Sequence, residues 1–174
     1  MKTNKAQELI RTCFLIAAHA HGHQVDKADE LYILHPLKVQ SFIENPTNSV
    51  MKRSIKTLNE EERLYAQCVA LLHDVIEDTP LTYDDLLINH KLPKAVCDAA
   101  LLLSKVKGED DQVYYERLKL NKIARVVKLA DLLHNSDLSR LKTIKKEDIK
   151  RRIKYLKAML YLWQDGYIND LQNF

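Results

Sequence analysis

Glycine and proline are scarce, with three and four in 174 residues. That excludes long flexible loops and the Gly-rich turns that cradle phosphates in many nucleotide-binding proteins. Leu, Lys, Glu, Ile and Ala dominate instead, which favours helices over sheets. Cysteine is sparse too: Cys13, Cys68 and Cys97 are far apart, show no C-x-x-C spacing and sit among apolar neighbours. This excludes a disulfide framework and fits buried thiols in a reducing cytoplasm. No run approaches the roughly 20 apolar residues that span a bilayer, and the first residues, "MKTNKAQELI", lack the apolar core of a signal peptide. A soluble cytoplasmic protein without a membrane partner is expected. The net charge is only +3, with 27 basic residues interspersed among 24 acidic ones, so nucleic acid is not an expected partner.

What is present is a chain built to pack. An apolar fraction of 46% beside 29% charged residues is ordinary for a globular protein, and the length suits one domain spanning residues 1–174. Apolar residues from Leu9 to Ala20 recur at three- and four-residue intervals, the period of a helix. "HGHQVDKADELYIL" reads as a loop feeding a second helix in "HPLKVQSFIENP". Pro36 suits its first position, with His35 pushed to an extended conformation at the cap. Asn59 and Glu62 form a capping-box pattern that opens a long helix through "EEERLYAQCVALLHDVIED", stopped by Thr79-Pro80. Shorter helices are expected at about 82–90, 93–104 and 110–119, another through "KIARVVKLADLLHN", and a last one at about 143–164. No strand pattern is convincing.

Two of these helices carry charge where burial is expected. Cys68, Val69, Ala70, Leu71, Leu72, Val75 and Ile76 surround His73, Asp74, Glu77 and Asp78, which fall on one broad face at the helix's C-terminal end. Three carboxylates there would repel one another and sit against the negative end of the helix dipole. A bound divalent cation would resolve both conflicts. Asp131 repeats the oddity, ringed by Val126, Val127, Leu129, Ala130, Leu132 and Leu133, with Lys128 at i−3 and Asn135 at i+4. Together with His35, these residues make a His₂Asp₂ donor set, His35, His73, Asp74 and Asp131, suited to Mn²⁺, Fe²⁺ or Zn²⁺.

Each residue also has a plainer reading. Asp131 alone fits a structural ion pair with Lys128 and Arg125. His35 alone fits a helix cap beside Pro36, and Glu77 and Asp78 alone fit a solvated helix end. His19, His21, His23, His90 and His134 read as ordinary exposed or core histidines. The basic run "LKTIKKEDIKRRIKYLKAML" reads as an amphipathic helix rather than a nucleic-acid surface: Ile149, Ile153, Leu156, Met159, Leu160 and Trp163 are expected to face the core, with the cations opposite.

Taken together, "HPLKV", "LLHDVIEDT" and "VVKLADLLHN" resemble the HD-domain phosphohydrolases, and more closely the hydrolase domain of the Rel/SpoT stringent-response enzymes and its small stand-alone relatives. The likeness covers about residues 15–140 and leaves out the last helix. It implies an all-α HD-domain bundle that uses one divalent metal, Mn²⁺ first and Fe²⁺, Zn²⁺ or Mg²⁺ as alternatives, to remove the 3′-pyrophosphate of (p)ppGpp. It also implies His35, His73, Asp74 and Asp131 as metal ligands, and Glu77 and Asp78 as the pair acting on the attacking water and the leaving group. Asn135 would lie by the ribose. Lys27, Lys105, Lys128 and Arg140 are candidates for holding phosphates. In the first loop the long enzymes resemble G-Q-x-R-x-x-G-x-P-Y, and Asp26 stands here where a base-contacting Arg is expected. Two alternatives remain at this point: an HD phosphatase acting on another nucleotide or phosphomonoester, and a catalytically silent helical module that binds a nucleotide or a partner.

Overall fold

Asn59 accepts a hydrogen bond from the Glu62 backbone N–H at 2.8 Å while the Glu62 carboxylate accepts one from the Asn59 N–H at 2.9 Å, the reciprocal cap that the sequence pattern predicts. It opens the central helix of the protein. A computed structural model of the protein describes residues 2–26 and 29–164. Its helices are α1 (Lys2–Ala20), α2 (Leu34–Glu44), α3 (Ser49–Lys56), α4 (Glu60–Leu72), the single turn α5 (Val75–Asp78), α6 (Lys94–Leu103), α7 (Asp111–Lys119), α8 (Lys122–Asn135) and α9 (Lys146–Gln164). Among the described residues the only β pairing is an isolated bridge between Val25 and Leu31.

The fold is an all-α bundle organised around α4. Its second half is apolar on every side, and Ala66 through Leu72, except Gln67, are buried between α1, α2, α6 and α8. α8 packs against α2, α4 and α9 and buries Val126, Val127, Leu129, Ala130 and Leu132. The three free cysteines are buried in the same core. No described helix is long and apolar enough to cross a membrane.

Four local expectations need correction. His35 is not an extended cap: α2 begins at Leu34, so His35 lies in its first turn. Tight bonds from Leu34 N to Leu31 O and from His35 N to Tyr32 O wind the helix earlier, and Pro36 still sits where an N–H would be unpaired. The long helix does not run through His73-Asp74. α4 ends at Leu72, and Asp74 adopts φ −104°, ψ −4°, the sparsely populated bridge region. The His73 Nδ1–H donates to the Ala70 carbonyl at 2.8 Å, supplying a side-chain partner near the break. The short helix expected at about 82–90 is present and capped by Thr82 and Asp85 as read, but Asp85–Asn89 wind more widely than an α-helix. α3 went unread: it rests on Asn48, whose side chain accepts from Val50 N and Met51 N.

The last correction concerns α9. It packs on α7 and α8 through Tyr155, Ala158, Met159 and Leu162, with Ala158 and Leu162 buried. Ile149, Ile153, Leu156 and Leu160 are about half exposed, on the opposite side. At ~100° per residue the helix carries two apolar stripes, and periodicity alone favours the bulkier one.

Candidate metal centre

The site forms where α2, the break after α4, and α8 meet. Helix α2 supplies His35, the break supplies His73 and Asp74, and the middle of α8 supplies Asp131. His73 is 1% exposed, Asp131 4% and His35 6%. His35 Nε2 and His73 Nε2 approach to 3.1 Å, and Asp74 Oδ2 lies 2.9 Å from His73 Nε2 and 3.6 Å from His35 Nε2. Ligand atoms of these three residues all fall within 4.8 Å of one another. Asp131 Oδ1 closes the group, 3.2 Å from His35 Nε2 and 3.7 Å from His73 Nε2.

The donor set fits a divalent metal ion. Nitrogen and oxygen ligands at about 2.1 Å from a common centre stand roughly 3.0–3.5 Å apart, close to the spacings these pairs show. The local structure also prepares the donors. His73 must carry its hydrogen on Nδ1, because the Ala70 carbonyl can only accept, which leaves Nε2 free to offer a lone pair. Asp74 is held by the Tyr32 hydroxyl, which donates to Oδ2 at 2.5 Å. Asp131 is held on one side by Lys128, Nζ to Oδ2 2.8 Å, and on the other by the Asn135 amide. The plainer reading of Asp131 as a partner of Lys128 is thus also present, on the oxygen that faces away from the histidines.

The electrostatics without an ion are those of an overcrowded site. Burial opposes charge on His73, yet Asp74 and Asp131 more than offset it and push its pKa up to about 10. His35 moves the same way: burial resists its charge, but hydrogen bonds to Asp131 and Asp74 prevail. Burial also works against both aspartates, but His73 and His35 hold Asp74 well below the usual carboxylate range, while Lys128 and the same histidines do so for Asp131. Protons on the imidazoles stand in for positive charge that a cation would bring.

A cavity of about 420 Å³ opens beside the cluster, within the ~300–1,000 Å³ typical of small-molecule sites. Tyr32, His35, Asp74, Glu77, Lys128 and Asp131 line it, together with Asn135, Asp26, Arg140, Arg151 and Tyr155. Glu77 is fixed by the Lys105 backbone N–H, which donates to Oε2 at 2.7 Å. Partial burial, reinforced by Asp74, raises the pKa of Glu77 despite that bond, and raises that of Asp78 as well. Asp78 is not among the residues that line the cavity; its main-chain carbonyl accepts from the Gln24 amide at 2.9 Å.

The substrate-binding candidates divide. Lys128 and Asn135 face the cavity but hold Asp131. Arg140 lines it with its guanidinium on Asp26 at 3.2 Å and against His134 at 2.9 Å. Lys105 departs from expectation: its ammonium pairs with Asp111, outside the cavity lining, and its contribution is the backbone N–H on Glu77. Lys27 lies outside the described residues. Sequence reasoning missed Tyr32, the His21–Gln24 pair behind Asp78, and His134, which was read as ordinary although it contacts His35.

Comparison with known proteins follows the same line. No family model matches the chain. It is 33% identical over 136 residues to the bifunctional (p)ppGpp synthase/hydrolase SpoT of Escherichia coli K12, covering 72% of this chain and 17% of that protein. It is 36% identical over 130 residues to the guanosine-3′,5′-bis(diphosphate) 3′-pyrophosphohydrolase of Haemophilus influenzae, covering 70% of this chain and 17% of the relative. The chain is an HD-domain relative of the Rel/SpoT-type hydrolases. A solved structure, described as a metazoan ortholog of SpoT that hydrolyses ppGpp, superposes on this Rel/SpoT relative with a TM-score of 0.67 at 22% identity, covering 90% of this chain and 85% of that one. That likeness establishes the shared all-α fold. The Rel/SpoT relative spans only 17% of the length of the curated proteins it matches.

Proposed function

We propose that this protein is a cytoplasmic, divalent-metal-dependent phosphohydrolase that removes the 3′-pyrophosphate from (p)ppGpp. The observation that carries the reading is the convergence of His35 Nε2, His73 Nε2, Asp74 Oδ2 and Asp131 Oδ1 beside a cavity lined by carboxylates and cations. The named activities of the curated relatives support the substrate.

In this reading His35, His73, Asp74 and Asp131 hold one ion, Mn²⁺ by preference for a mixed imidazole and carboxylate set. When bound, the ion supplies positive charge that polarises a phosphoryl oxygen and acidifies water. The chain's own groups do the rest. Glu77, aimed by the Lys105 N–H and with its proton affinity raised, takes a proton from the attacking water. Asp78, raised likewise, serves the leaving oxygen. Lys128 and Asn135 keep Asp131 oriented and present positive or polar hydrogen to the nucleotide. The partner is a small nucleotide, with no nucleic acid or membrane required.

One observation favours a second reading of the substrate. Asp26 places a carboxylate on the cavity wall, bound to Arg140, so the base meets a different edge from the one an arginine would offer. An HD phosphatase acting on another nucleotide or phosphomonoester is the alternative. Incubating the Mn²⁺-loaded protein with ppGpp, pppGpp and ordinary nucleotides distinguishes them: pyrophosphate from the alarmones is expected, and orthophosphate from another nucleotide would select the alternative. An untouched panel would leave a silent binding module.

A further inference from the structure

His35 has two ring nitrogens, and the site uses one. Nε2 faces His73, Asp74 and Asp131, while Nδ1 points away from them, 2.6 Å from Nδ1 of His134. A neutral imidazole has one lone pair and one N–H. If Nε2 gives its lone pair to a metal, Nδ1 carries the hydrogen and needs an acceptor. The His134 ring is placed to provide it: it is 9% exposed and lies edge to edge with the His35 ring, centroids 4.9 Å apart and planes within 17°, so the two Nδ1 atoms face each other.

His134 is itself held. The Arg140 guanidinium stands 2.9 Å from its ring nitrogens, and the other end of that guanidinium reaches Asp26 at 3.2 Å. Asp26 belongs to the loop that leads into α2, and α2 carries His35. The chain Asp26, Arg140, His134, His35 therefore ties the loop before α2, the turn after α8 and α8 itself to one candidate ligand.

We propose that His134 is a positioning residue that accepts a hydrogen bond from His35 Nδ1 and so fixes the tautomer and ring orientation that turn Nε2 toward the metal, with Arg140, anchored on Asp26, bracing the His134 ring. The inference rests on the metal-centre reading above. It also gives Arg140 a task behind the ligand: both of its terminal nitrogens are already engaged.

The test is Mn²⁺ binding by calorimetry to the wild-type protein, His134→Leu and His134→Asn, with circular dichroism to verify folding. An Asn places an acceptor near the position of the imidazole Nδ1, whereas Leu fills the space without one. Leu is expected to weaken Mn²⁺ binding by about 10–100-fold, the effect of losing an outer partner, and Asn to restore most of it. In ¹⁵N-labelled, Zn²⁺-loaded protein, the His35 Nδ1–H should give a slowly exchanging signal that Leu abolishes and Asn retains. Wild-type affinity in the Leu variant, or an unchanged His35 signal, would overturn the inference. Should the Leu variant not fold, Arg140→Met carries the test: weaker binding with intact helicity supports the bracing chain, and unchanged binding overturns it. Failure of the wild-type protein to bind Mn²⁺ would instead remove the metal centre itself, and the two failures are thus distinct.

Discussion

Burial alone would strip the proton from His73, and the neighbouring Asp74 and Asp131 reverse that, raising its pKa to about 10 from an unfolded value near 6.5. A histidine with a raised folded pKa contributes stability that is fully present below about 6.5 and lost as pH rises through about 10. The metal-free protein should therefore lose stability across that alkaline interval. The same lone pair on Nε2 is what a metal ion needs, so proton and metal compete. Mn²⁺ binding near pH 7.5 is expected to release at least one proton per ion and to tighten as pH rises toward 9. Calorimetric heats in buffers of different ionisation enthalpy measure the release, and heats independent of the buffer would sink the idea. At this scale the sequence was legible where charge interrupts apolar helices, as at His73, Asp74 and Asp131. It was illegible where a partner comes from afar: Tyr32 meets Asp74 across 42 residues and His134 meets His35 across 99, and neither contact leaves a local pattern.

Elements were legible in proportion to their local chemistry. The α4 cap and the span of α8 follow from capping residues and a long apolar period, and both appear as read. The break at His73-Asp74 does not, because its cause is packing plus the turn of His73 onto Ala70, which no propensity encodes. Helix α3 escaped because an eight-residue element is short of two and a half turns and its signal is one Asn cap. α9 is a helix as read, and Met159 meets the core as expected, but Ile149, Ile153, Leu156 and Leu160 do not, since two stripes share the same period. The energetic difference between them is measurable. Leu162→Ala removes a buried side chain from the contact with α8 and should cost about 2–5 kcal/mol. Ile153→Ala, at a half-exposed position, should change stability by about 0.5 kcal/mol or less. Urea midpoints of the two variants decide the matter, and equal losses would mean that the stripe at Ile153 is covered in solution.

At the level of the whole molecule, the candidate ligands lie on elements brought together only by folding: His35 and His73 are 38 residues apart, and Asp131 comes from a helix that packs against both of theirs. The unfolded chain cannot present these donors at one point, so an ion that binds the cluster binds the native state alone and must stabilise it by mass action. The same ion would neutralise a group whose carboxylates are otherwise balanced only by protons and Lys128, so fold and chemistry depend on one another at this junction. Mn²⁺ at about a hundredfold above its dissociation constant should add about 2.7 kcal/mol, raising the melting temperature by about 5–10 °C for a chain of 174 residues. Excess chelator should reverse the shift. Asp131→Asn keeps the shape of the side chain but withdraws the charge from α8, and it should abolish most of the gain while leaving the helical spectrum intact. A melting temperature indifferent to Mn²⁺ in the wild-type protein would mean that α2, α4 and α8 meet here for packing alone, and that the carboxylates and imidazoles at their junction balance one another without an ion.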